Sequence, residues 1–171
     1  ARRIAVQVFA LSKGYNVMGL THAMLFIADE RLRAAWEAFV RPFNFYYAAN
    51  TYSVAVTAAL MSGKADGWRE ELTAYLHNNL QEILEYIREY DLPLTPYVPE
   101  GSFLLWLDCR NAGIKTENLG RFFMEKAHIH LDDGEENFGS EGKGYIRINF
   151  AVTNKVLKEA LERICAVFRE I

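Results

Sequence analysis

The chain has 171 residues, of which 51% are hydrophobic and 24% charged, with a formal net charge of −3; that length buries one good core, or one small domain plus a piece of another. Acids and bases are interspersed, which leaves no basic footprint for nucleic acid. No apolar run approaches the ~20 residues of a membrane span.

Residues 1–3 (Ala-Arg-Arg) lead straight into a β-rich run without a cleavage site, so no signal peptide is expected. Residues 4–11 (IAVQVFAL) form a near-continuous apolar run, the pattern of a strand buried on both faces of a parallel sheet. Such a strand needs neighbours that the chain does not supply before its helices begin, which points to a piece of something larger. A polar turn through Ser12-Lys13-Gly14 and a second strand near residues 22–28 follow. A helix is expected over 30–40, stopped by Pro42, and another over 53–61 with Gly63 as its C′ residue.

Asp66 is the expected N-cap of a long helix. Its apolar positions Trp68, Leu72, Leu76, Leu80, Ile83, Leu84 and Ile87 recur every three or four residues up to the stop at Pro93. Strands are then expected over 94–98, 102–107, 128–131 and 145–152, with helices over 116–126 and from 154 to the end. The last helix carries the apolar face Leu157, Leu161, Ile164, Phe168 and Ile171, with Thr153 or Asn154 as cap. Residues from about 91 to 171 form a compact α+β domain in this reading. Cys109 and Cys165 lie in different segments without metal-ligand spacing and are expected as free, packed thiols of a reducing, cytoplasmic compartment.

Lys13 follows a buried-type strand at its carboxyl end, where α/β sheets place ligands. Partial desolvation there would free its amine to attack a carbonyl, although a lysine after a strand is more often a solvated cation. Alternation puts Tyr145, Arg147 and Asn149 on one strand face and Ile146, Ile148 and Phe150 on the other, toward a core. An arginine so presented can grip a carboxylate with two parallel hydrogen bonds. The alternative is a surface salt bridge. Trp106 reads as core packing and Asp108 as the end of its strand or the cap of the next turn. His128 and His130 alternate on a strand without an acidic or thiol partner at ligand spacing, so no metal is expected. Asp132, Asp133, Glu135 and Glu136 read as a solvated loop, and Phe138-Gly139 with nearby glycines as the shaper of the loop into the Arg147 strand.

Three strings occur in order along the chain: Ser12-Lys13-Gly14-Tyr15-Asn16-Val17-Met18-Gly19-Leu20; Pro99-Glu100-Gly101-Ser102-Phe103-Leu104-Leu105-Trp106-Leu107-Asp108; and Asp132-Asp133-Gly134, Phe138-Gly139, Gly142, Gly144, Arg147-Ile148-Asn149. Together they resemble the later part of the fold type I pyridoxal-phosphate (PLP) enzymes of the class I/II aminotransferase family, nearest its cystathionine β-lyase-like C–S lyase branch. The resemblance implies an α/β fold: a remnant of the large PLP-binding domain's sheet over 1–65, a connecting helix over 66–91 and a small α+β C-terminal domain over 92–171. It implies PLP as cofactor, with Lys13 condensing with the cofactor aldehyde and then shuttling the α-proton of an amino acid. It implies Arg147 as the holder of the substrate α-carboxylate, and a homodimeric parent.

The positions three before and eight after the lysine, often serine and arginine in the class, are Ala10 and Thr21, and Ala23-Met24 replaces a small-then-aromatic pair. Ser12, Asn50 and Thr51 are the remaining candidates for the cofactor phosphate. The earlier phosphate loop, the aromatic that stacks on the ring and the acid that protonates its nitrogen lie outside the match, so the chain alone is expected to be inactive. The leading expectation is β-elimination from a cystathionine-like amino acid. Transamination and a non-catalytic, degenerate homologue are the alternatives.

Overall fold

The computed structural model describes residues 5–20, 22–44 and 50–170. The chain divides into two compact units, Ala1–Leu72 and Thr73–Ile171.

In the first unit β1 (Val6–Phe9) pairs antiparallel with β2 (Met24–Ile27), with Val6 opposite Ile27 and Phe9 opposite Met24. The expected strand buried on both faces in a parallel sheet is not what forms. All four residues of β1 are exposed, Val8 to 67%. The physical reason is the one anticipated from the sequence: among the described residues β2 is its one partner and β1 has no cover on both faces. Helix α1 (Glu30–Val40) begins where Asp29 caps it, its Oδ1 accepting from the backbone N–H groups of Arg31 and Leu32 at 2.9 and 3.0 Å. It ends in a 3-10 turn, Arg41–Phe43, built around Pro42. Helix α2 (Thr51–Met61) starts two residues before its expected first turn, because Asn50 caps it by accepting from Tyr52 N at 2.8 Å. It closes with Gly63 at φ +78, the left-handed C′ position that glycine fills without a Cβ penalty.

Helix α3 (Asp66–Glu89) runs from the first unit into the second. It ends before Pro93 is reached: Asp91 adopts φ 46, Leu92 N donates to Ile87 O at 2.9 Å, and Asp91 N donates to Arg88 O at 3.4 Å. This is a Schellman cap with aspartate in the usual glycine place.

The second unit is a four-stranded antiparallel sheet covered on one face by helices. The strands β3 (Thr95–Tyr97), β4 (Leu104–Asp108), β5 (Asp132–Asp133) and β6 (Tyr145–Asn149) lie in the order β3-β4-β6-β5. Leu105, Leu107, Ile146 and Ile148 point into the core with Leu80, Ile83 and Ile87 of α3, Leu119 and Phe123 of α4 (Leu119–Ala127), and Leu157, Leu161 and Ile164 of α6 (Asn154–Arg169). Each such fully buried side chain contributes about 1.5–3 kcal/mol. Asn79 is buried among them, its amide donating to the carbonyls of Phe150 and Val152 at 2.9 and 3.0 Å.

The expected strand over 128–131 is replaced by a turn. His128 takes φ 54 at the end of α4 and Ile129 N returns to Phe123 O, so the two histidines do not alternate on a strand. Cys109 and Cys165 are free and buried, as expected. Burial pushes the Cys109 thiol up to about 12.

Candidate active site

Lys13 lies in the turn after β1, where Tyr15 N donates to Leu11 O and Val17 N to Ser12 O. Its side chain is exposed, not partly desolvated as expected, and Nζ stands 2.9 Å from the sulfur of Met18. The turn is tied down two residues later. Tyr15 is 8% exposed, its hydroxyl donates to Asp66 Oδ1 at 3.0 Å, and the Arg69 guanidinium lies 5.6 Å from its ring centre. The hydrogen bond to Asp66, with burial, raises the phenol above its ordinary value. Asp66 is therefore the first residue of α3 and the anchor of the Lys13 turn, where the sequence reading made it a cap.

Of the candidate phosphate holders, Ser12 is half-buried and Thr51 opens α2 with an exposed side chain. Asn50 has its carbonyl oxygen committed to the α2 cap. Thr21 lies outside the described residues.

Arg147 belongs to the second unit. As expected, Ile146, Ile148 and Phe150 are buried while Tyr145 and Arg147 face the other way, half-buried. Arg147 donates through Nε and Nη2 to a single oxygen, Oδ2 of Asp132, at 3.0 and 2.7 Å. Its guanidinium carbon is 4.6 Å from the ring centre of Phe138 and 5.7 Å from that of Trp106, and those rings meet edge to face at 4.9 Å. Trp106 is thus a wall of the arginine's surroundings and not a core residue. Register explains the meeting: Tyr97 is opposite Trp106, Trp106 opposite Arg147, and Arg147 opposite Asp132.

The acidic segment is no solvated loop. Asp133 is 4% exposed; its Oδ1 accepts from Glu135 and Glu136 N–H and its Oδ2 from Gly120 N at 2.9 Å. It starts α5 (Gly134–Phe138), which presents Phe138 to Arg147. A signal for this was available, since aspartate followed by Gly-Glu-Glu has the composition of a capped first helical turn. Asp108 ends β4 as expected and accepts from Arg110, whose guanidinium holds its carboxyl below the usual carboxylate range. Among the described residues no three His, Cys, Asp or Glu side chains are grouped to hold a metal, and no helix is long and apolar enough to cross a membrane.

No family model matches the chain. It is 29% identical over 164 residues to the cystathionine beta-lyase PatB of Bacillus subtilis, covering 95% of this chain and 41% of the relative. A PLP-bound putative aminotransferase of Clostridium difficile superposes with a TM-score of 0.86 at 30% identity, over 97% of this chain and 42% of that one. The chain has the fold of the C-terminal part of the fold type I PLP-dependent enzymes. A PLP-bound C-S lyase of Staphylococcus hominis, 27% identical, matches this fold type I segment with a TM-score of 0.84 over 96% of it and 42% of the neighbour. The segment therefore spans about two-fifths of the length of these relatives. Lys13 falls in its first unit and Arg147 in its second.

Proposed function

We propose that this chain is the C-terminal portion of a homodimeric, cytoplasmic PLP enzyme acting on a small amino acid. Its reaction is a C–S β-lyase reaction that releases a thiol, pyruvate and ammonia from a cystathionine-like substrate. In this reading residues 1–65 finish the large PLP-binding domain, 66–91 connect and 92–171 form the small domain. The observation that carries the reading is the Arg147 guanidinium. It is presented from a strand whose other face is core, and one of its edges is fixed by Asp132.

The residues present suit the cofactor. A primary amine at Lys13, hydroxyls at Ser12 and Thr51, the Asn50 amide and the α2 amino terminus match an aldehyde and a phosphate in donor chemistry. When bound, PLP supplies the electron sink for charge left at the substrate α-carbon. Lys13 would hold the cofactor through its amine and move the α-proton. Arg147 would hold the α-carboxylate and so orient the bond to be broken.

Borohydride reduction of the whole enzyme with PLP, followed by peptide mapping, is expected to place the label on Lys13; a label on another lysine refutes the assignment. Transamination is the second reading, favoured by the Clostridium difficile neighbour described as a putative aminotransferase. Cystathionine given without a keto acid separates the two, since thiol and pyruvate appear only with the lyase. The 171-residue chain alone is expected to be inactive, and steady turnover by it overturns that part.

A further inference from the structure

Four strands contribute one residue each to a single row across the sheet: Tyr97, Trp106, Arg147 and Asp132. A guanidinium is planar and offers a carboxylate two edges with paired donors, one formed by Nε and Nη2 and one by Nη1 and Nη2. An arginine held by its backbone alone would accept an acid at either edge, and the two modes place the acid differently. Here Asp132 Oδ2 occupies the first edge, and among the described residues no hydrogen-bond partner faces Nη1.

Building on the proposed role of Arg147, we infer that Asp132 is a positioning residue for carboxylate recognition. It blocks the Nε edge and commits Arg147 to grip one carboxylate through Nη1 and Nη2. The backbone of Asp132 is fixed for this task. β5 pairs with β6, and the next residue, Asp133, is buried and holds three backbone N–H groups. Phe138 and Trp106 further restrict the guanidinium by packing against it.

The test uses the 171-residue chain labelled with 15N-arginine, with acetate as probe and Arg147→Lys to assign the signals. In the wild-type chain Arg147 Nε–H is expected to exchange slowly, and acetate is expected to move the Nη signals while leaving Nε in place. In Asp132→Asn, Nε–H should exchange roughly tenfold faster and move with acetate. Asp132→Glu should restore the wild-type pattern in part. Unchanged backbone amide signals of Arg110, Arg121 and Arg163, which share the second unit with Arg147, exclude misfolding, and Asp132→Ala provides a second variant. A wild-type acetate response that persists unaltered in Asp132→Asn overturns the positioning role alone. Acetate that moves no Arg147 signal in the wild-type chain overturns the carboxylate role of Arg147, and the positioning claim falls with it.

Discussion

Gly142→Ala tests how the loop before β6 sets the surroundings of Arg147. A Cβ on Gly142 would lie 2.1 Å from the carbonyl oxygen of Gly134, and one on Gly134 would lie 2.2 Å from that of Gly142. The obstruction is backbone on both sides, so no rotamer change relieves it. The φ of Gly142 lies outside the left-handed region, so the penalty is purely one of contact. Restoring ordinary separation requires the two segments to part by roughly 1 Å. Overpacking of this kind costs about 1–3 kcal/mol. The displaced segment carries α5 and with it Phe138, 4.6 Å from the Arg147 guanidinium. Amide hydrogen exchange at Ile146 and Ile148 reads the effect locally, and protection should fall roughly five- to hundredfold. Gly67→Ala is the control, because its Cβ meets nothing within 4 Å. Wild-type protection in Gly142→Ala would refute the steric argument.

Asn79→Ala removes two donors, one from the buried carbonyl of Phe150 and one from the part-buried carbonyl of Val152, and should destabilise the second unit by roughly 1–3 kcal/mol in urea unfolding; a loss under half a kilocalorie contradicts the role. The carboxyl of Asp108 is depressed by its hydrogen bonds from Arg110, so its contribution to stability is present above the unfolded value of about 3.9 and is lost as pH falls through the lower folded value. Asp108→Asn should therefore be less stable than wild type at neutral pH, with the difference vanishing in strong acid; a difference independent of pH is the contrary result. Burial holds the Cys109 thiol at about 12, so a disulfide reagent at pH 8 should modify it only as fast as the unit opens, and rapid labelling of Cys109 in folded protein counts against this.

Where local chemistry and tertiary packing agree, the sequence was readable to the residue. Helix α1 has the expected bounds because Asp29 caps its start and Pro42 lies just past its end. The strand of Arg147 was legible because one of its faces is core. The misreadings have physical causes. His128 to Leu131 alternate polar and apolar like a strand, yet α4 closes by a left-handed residue and a backbone bond that spends Ile129 N on Phe123 O. The strand forms instead at Asp132–Asp133, a poor pair by propensity, because their carboxylates find Arg147 and three backbone N–H groups. Single-sequence periodicity carries no information about such partners. Tyr15 with Asp66 escaped for the same reason, since 51 residues separate them.

The two units differ in what holds them. Among the described residues of the first, Tyr15, Val40 and Ser53 are buried, while Val6, Val8, Phe9, Phe26, Trp36 and Phe39 stand exposed. The second has a closed core running through α3, the sheet, α4 and α6. Stability scales with apolar area removed from water, so the sheet that presents Arg147 has its support within its own unit. The turn that presents Lys13 leans on one phenol, one carboxylate and one guanidinium. It follows that the carboxylate grip proposed for Arg147 is open to measurement in the chain as it stands. The chemistry proposed for the Lys13 amine rests on a unit with little buried apolar surface among its described residues, so a weak response there in the isolated chain is the expected outcome.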